Sequence, residues 1–166
     1  MDVDMNQETL KEHLSYCPET GEFTWIKSPS SFIKVGSKAG NVNNQNPYVY
    51  IKISGVVYKA HRLAWLYTFG KFPEKFIDHI NGIKRDNRLC NLRKATSSQN
   101  SQNLVKPTAK NTSGFLGVSY SKRAKKFIAM IQHSGKNRYI GSFDTAELAS
   151  DAYLGEKRKH HEFCTI

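Results

Sequence analysis

The sequence predicts an α+β chain built from small packed parts: a small N-terminal β-sheet region, a strand–loop–strand–helix core, and a three-stranded antiparallel sheet packed on one helix. Three observations predict this. The period-two alternation of "YVYIKI" gives way at Ala60 to a helical period in "AHRLAWLYTFG". "FIDHI" and "NLRKA" flank a loop that opens on Asn81-Gly82, a strong turn dipeptide. Beyond an aperiodic polar stretch, three short alternating segments are followed by one long helical pattern. With 166 residues and 39% hydrophobic content, cores can form but none can be large.

Each element has a local reason. A short helix is expected around residues 7–15, followed by "PETGEFTWI", a turn leading into alternation, and by "VGSKAG". Residues 48–53 alternate, Ser54-Gly55 turns the chain, and residues 56–59 pair back as a hairpin. Leu63, Ala64, Leu66 and Tyr67 then share a helical face that stops near Gly70, with Pro73 just beyond. Residues 76–80 and 91–95 are expected as strands, and Thr96 as the N-cap of a helix over 97–103. Residues 104–114 contain a proline, a glycine and no period, the pattern of a linker. Strands are expected at 117–120, 126–132 and 137–141. Asp144 or Thr145 can cap a helix running from 145 towards 159. The expected parts are therefore an N-terminal β-rich region (1–58), a core with its preceding helix (59–106), and a linker with the C-terminal module (107–166).

Charge narrows the function. Residues 1–58 carry 5 Lys/Arg against 6 Asp/Glu, residues 59–110 carry 11 against 3, and residues 111–166 carry 9 against 5, so the excess of +11 belongs to the middle and the end. Basic side chains near phosphates release condensed counterions, so this distribution fits double-stranded DNA as partner. No run of about 18 apolar residues occurs and the first residues are acidic and polar, which argues against a membrane span or a secretory signal and for the cytoplasm. Cys17, Cys90 and Cys164 are far apart and form neither a zinc pair nor a disulfide framework.

The stretch "FIDHINGIKRDNRLCNLRKATSSQN" concentrates the residue types that phosphodiester hydrolysis needs. A neutral His can take a proton from water, which points to His79 as base. A hard divalent cation prefers oxygen and keeps several waters, so one carboxylate and one amide oxygen suffice; Asp78 and Asn100 supply such a pair. Asn91 can bond loop backbone and hold the His strand in place. Asn103, one helical step beyond Asn100, is its rival as ligand. Asn81, Asp86 and Asn87 are expected as turn formers. Adjacent strand residues point to opposite faces, so Asp78 and His79 converge only if the strand bends or ends there.

This stretch resembles the HNH nuclease motif of the ββα-metal type found in phage and intron homing endonucleases. By position, the resemblance implies Asp78 and Asn100 as metal ligands, His79 as general base and Asn91 as the structural Asn, with Mg2+ (or Mn2+) as the cofactor. Asn100 stands where many relatives have His. Residues 20–70, above all "YKAHRLAW", are similar to the region that often precedes this motif in phage HNH proteins. His61 and Arg62 in that stretch, and Lys84, Arg85 and Arg88 in the loop, are expected at DNA.

The C-terminal part has its own likeness. Gly117-Val118, Ala129, Ile131, "IGSFDTAE" and Ala149, Ala152 and Tyr153 resemble the plant ethylene-response-factor (Apetala-type) DNA-binding domain, which also occurs attached to phage HNH nucleases. The resemblance implies a three-stranded sheet lying in the DNA major groove. Phe127, Ala129 and Ile131 make its helix-facing side and leave Lys126, Ile128, Met130 and Gln132 on the other. Relatives place arginines and tryptophans on the DNA-facing strands where this chain has Leu116, Ser119, Met130, Gln132 and Tyr139. Lys122, Arg123, Lys125, Lys126 and Arg138 are therefore expected at phosphates, and Gln132 and Tyr139 at bases.

The expected function is metal-dependent DNA cleavage of the homing type by a monomer or homodimer, with no small-molecule cofactor, in the host cytoplasm if phage-encoded. A DNA-binding regulator that no longer cuts, and a restriction or defence nuclease, are the alternatives.

Overall fold

The computed structural model describes residues 5–43, 46–108 and 111–166. The chain divides into two units, Met1–Ser97 and Ser98–Ile166. Helix and antiparallel sheet are mixed throughout, an α+β architecture.

The first unit opens with α1 (Gln7–His13), whose first turn is capped by the Asn6 side chain accepting from the Thr9 N–H at 2.8 Å. Strands β1 (Leu14–Cys17), β2 (Glu22–Trp25) and β3 (Lys38–Ala39) form one antiparallel sheet in that order. Strands β4 (Asn41–Asn43), β5 (Asn46–Ile53) and β6 (Val56–Lys59) form a second. The N-terminal β-rich region thus holds two three-stranded sheets, and the short β3 and β4 have too few residues for alternation to betray them.

The change of period at Ala60 marks the start of α2 (Ala60–Phe69). This helix is apolar beyond one stripe: Leu63, Ala64 and Leu66 are buried, and so are His61 and Trp65. It stops at Gly70, whose left-handed backbone (φ 77°) lets its N–H reach the Leu66 carbonyl at 2.9 Å. The core joins α1, both sheets and α2 through Leu10, Leu14, Phe23, Ile51, Ile53 and Leu63. Burying a side chain of this size stabilises by about 1.5–3 kcal/mol. Ile77 and Leu92 belong to the same core, which anchors β7 (Phe76–His79) and β8 (Leu92–Ala95), an antiparallel pair. A 3₁₀ turn, Leu89–Asn91, leads into β8, and α3 (Ser97–Gln102) crosses the junction of the units.

The second unit holds β9 (Val118–Ser121), β10 (Lys126–His133) and β11 (Lys136–Phe143), antiparallel with β10 in the centre, and α4 (Ala146–His160). Thr145 is the cap: its Oγ1 accepts from the Leu148 N–H at 3.3 Å. Glu147 lies in the first turn and Lys157, Arg158, Lys159 and His160 in the last, each sign at the end the helix dipole favours. Ala129 and Ala149, both fully buried, allow close approach of helix and sheet, and Val118, Ile131 and Tyr153 complete the core.

Candidate functional site

Strand β7 ends at His79, and the chain turns at once: the Gly82 N–H donates to the His79 carbonyl at 2.8 Å. Asp78 pairs in register with Arg93 and His79 with Leu92, so the two side chains leave the ribbon on opposite faces. Both are fully buried. Each has its own surroundings in the first unit.

Asp78 sits among cations. Arg93 Nε and Nη2 donate to Asp78 Oδ2 at 3.0 and 2.9 Å, the cross-strand contact that the register dictates. Lys84 Nζ stands 3.9 Å from Oδ1, and partial burial lowers its pKa. Lys84, expected at DNA, is therefore turned towards the carboxylate.

His79 sits among rings and amides. Its ring lies 5.0 Å from that of His61, edge to face, and 5.9 Å from Tyr48. His79 Nε2 is 3.3 Å from Asn87 Oδ1. Burial pushes the His79 pKa down to about 4, against the opposing pull of the Asn87 bond. Burial, with His79 and nearby lysines and arginines, pushes His61 down to about 3, and its Nδ1 makes no hydrogen bond among the described residues. Both imidazoles are thus neutral at pH 7, and a neutral imidazole is what a general base requires.

The loop from β7 to β8 is tied by side chains. Asn91 Oδ1 accepts from the Asn81 N–H at 2.9 Å and its Nδ2 donates to the Asp86 carbonyl at 2.8 Å. It clamps the loop across its width and holds the end of the histidine strand. Asn81 Nδ2 donates to Asp86 Oδ2 at 2.7 Å, and Arg88 grips Asp86 through Nε at 2.8 Å and Nη2 at 2.6 Å. That guanidinium holds the Asp86 carboxyl down at about 2. Arg88 is thereby engaged within the loop, while Arg85 is exposed.

The remaining residues expected at DNA are distributed unevenly. His61 is only 5% exposed and faces His79, because α2 buries the side on which it lies. Arg62 Nη2 donates to the Pro73 carbonyl at 3.3 Å and lies over Phe72. In the second unit, Lys122, Arg123 and Lys125 are exposed in the β9–β10 turn, while Lys126 Nζ reaches Asp144 Oδ1 at 3.2 Å. Cross-strand register sets Gln132 opposite Asn137 and Met130 opposite Tyr139, all exposed on the face away from α4. Arg138 pairs with Ile131 and so belongs to the helix-facing side, at an exposed end of its edge strand.

Of the two asparagines in and beside α3, Asn100 is half-buried, and Asn103 Oδ1 accepts from Thr165 Oγ1 at 2.7 Å. Among the described residues, no three His, Cys, Asp or Glu side chains form a group that could hold a metal ion. Asp78 is then a single carboxylate, a donor set that fits a hard cation retaining most of its water and taking further oxygens from phosphate. It does not fit a cation caged by protein alone.

Sequence reasoning missed Asn87 as the partner of His79. Asn tolerates turn geometry, and that reading absorbed it; the DNR triplet offers no other local sign.

The two buried imidazoles make the first unit acid-sensitive. Unfolded histidines titrate near 6.5, above the folded values, so between pH 6.5 and 4 the unfolded chain binds protons that the folded one refuses. Stability is full above pH 6.5 and falls as pH drops, by on the order of 1 kcal/mol per pH unit for each histidine. Urea unfolding followed by fluorescence reads this, because Trp25 and Trp65 both lie in the first unit. His61→Gln should flatten the dependence, and an unchanged slope would show that His61 titrates normally.

Comparison with known proteins bears on the same residues. Residues 58–102 match the family model described as HNH endonuclease, a span that includes α2, both strands of the β7–β8 pair, the loop and α3. The chain is similar to Protein 3.8 of Escherichia phage T7, 34% identical over 110 residues that cover 64% of this chain and 90% of that protein. No solved structure matches the chain.

Proposed function

Because the chain belongs to the family of the phage T7 Protein 3.8 and carries an HNH endonuclease domain, we propose that it is a metal-dependent DNA endonuclease of the homing type that nicks double-stranded DNA at a recognised site. The observation that carries this is His79, a buried imidazole kept neutral beside a buried carboxylate at the end of a strand. In this reading His79 accepts the proton of the attacking water. Arg93 and Lys84 hold Asp78 in place in the free chain and supply positive charge where an incoming phosphate would approach. Asn91 keeps the loop closed across its ends and so holds the histidine strand. A bound Mg2+ or Mn2+ stabilises charge on the scissile phosphate and the leaving oxygen. Asp78 is the carboxylate that would hold it, and Asn100 the amide assigned by motif position. The engagement of Asn103 by Thr165 supports Asn100 over Asn103.

The second unit is proposed as the DNA-positioning module, of the ethylene-response-factor kind. Its exposed outer sheet face and basic β9–β10 turn support this reading.

A second reading has one observation in its favour. Asp78 is already matched by two cations, as befits a DNA-binding regulator that no longer cuts. Metal titration of plasmid nicking separates the two. Asp78→Ala and Asn100→Ala should each raise the Mg2+ concentration needed for half-maximal cutting, by roughly 10–100-fold. The same shift in Asn103→Ala, with Asn100→Ala unchanged, would move the ligand one helical step, and no dependence on Asp78 would remove it from the metal.

A further inference from the structure

The clamp formed by Asn91 is made to loop backbone, at the Asn81 N–H and the Asp86 carbonyl. The ring is met instead by Asn87, which is 3% exposed. Asn87 Nδ2 donates to the Arg85 carbonyl at 3.3 Å, and this fixes which end of the amide faces His79: the oxygen. An amide oxygen only accepts, so the ring nitrogen opposite it, Nε2, carries the proton in the neutral imidazole. The lone pair is then on Nδ1.

Asn87 is itself held from far away in the sequence. The Tyr16 hydroxyl in β1 donates to the Asn87 carbonyl at 2.7 Å, a buried bond across 71 positions. Burial raises the Tyr16 pKa, so the phenol remains a donor, and its ring packs against Phe23 and Tyr67. Next to it, the β1–β2 turn presses on the same loop. Gly21 (φ +74°) lies so close that a Cβ there would stand 2.4 Å from the Arg88 nitrogen and 2.5 Å from the Asn87 carbonyl carbon. The Leu89 N–H donates to the Pro18 carbonyl at 2.9 Å, a third tie between hairpin and loop.

We propose that Asn87 is the positioning residue that fixes His79 in its Nε2–H tautomer with Nδ1 as the basic nitrogen, and that the β1–β2 hairpin sets Asn87 through Tyr16 and Gly21. The proposal rests on His79 being the general base. It gives the N-terminal hairpin a task in the chemistry: a residue in the wrong tautomer offers water an N–H in place of a lone pair. Only glycine allows the hairpin to approach the loop this closely, since any side chain at position 21 meets backbone.

The test is the imidazole nitrogen spectrum of the full chain labelled with 15N-histidine, at pH 7, without DNA or added metal. Wild type should show His79 as the Nε2–H tautomer. Asn87→Asp keeps an acceptor and should keep the tautomer, whereas Asn87→Ala should yield a mixture of the two. Tyr16→Phe keeps the ring packing and removes only the hydroxyl, so it should shift His79 the same way with the fold intact. Cleavage by Asn87→Ala should lose about 10–100-fold in kcat with KM little changed. A His79 tautomer and kcat that stay at wild-type values in both Asn87→Ala and Tyr16→Phe would overturn the proposal. His79→Ala run in parallel keeps the two ideas apart. Full cutting by that variant sinks the role of His79 as base, while loss of cutting in His79→Ala beside unchanged Asn87→Ala sinks only the positioning role.

Discussion

His79→Ala should nick supercoiled plasmid about 10²–10⁴-fold more slowly than the wild type while still binding DNA, the loss expected when a general base is removed. The substitution takes away the imidazole that meets Asn87 and is chosen to leave Asp78, Arg93 and the loop clamp in place. Folding of the variant can be checked independently through Trp25 and Trp65, since both lie in the unit that contains His79. Single-turnover cutting and gel-shift binding, measured side by side, separate lost chemistry from lost affinity. Wild-type cutting by His79→Ala would remove this side chain from the mechanism.

The second large effect concerns binding. Replacing Lys122, Arg123 and Lys125 together with Ala removes three exposed cations from the β9–β10 turn. Each phosphate contact contributes about 0.9 to the log–log salt slope, so the triple variant should lose up to about 2.7 of that slope. Affinity for target and random duplexes should fall alike, because phosphate contacts carry no sequence information. Gln132 and Tyr139 are expected to behave in the opposite way. Both are exposed on the sheet face away from α4, and changing either should cost about 1–3 kcal/mol of discrimination between sites at nearly constant salt slope. A salt titration on both duplexes measures the two effects together. An unaltered slope in the triple variant would assign the turn to something other than DNA.

How much of this was legible in the sequence depends on the range of the interaction involved. The change of period at Ala60, the turn at Ser54-Gly55 and the cap at Thr145 are local, and β6, α2 and α4 begin or end where those signals stand. The side chains of Phe127, Ala129 and Ile131 share the face that packs on α4, as alternation alone indicates. Asn87 could not be read this way, because what distinguishes it from a turn former is a hydroxyl 71 residues away and a histidine ring on the other side of a loop. His61 shows the same limit. It stands at the head of an amphipathic pattern, where a DNA contact is reasonable, but α2 is buried on more than one face and carries His61 inward against His79. Lys84 also looks like one more basic loop residue until the register of β7 and β8 shows where Asp78 lies.

The central claim, that this chain cuts DNA with His79 as base, is tested most directly by incubating the purified full chain with supercoiled plasmid, with Mg2+ or with chelator. One candidate site per chain predicts open circles that accumulate with time in Mg2+ and are absent with chelator. Plasmid that is retarded by the protein yet remains supercoiled in both Mg2+ and Mn2+ would contradict it and leave a DNA-binding regulator.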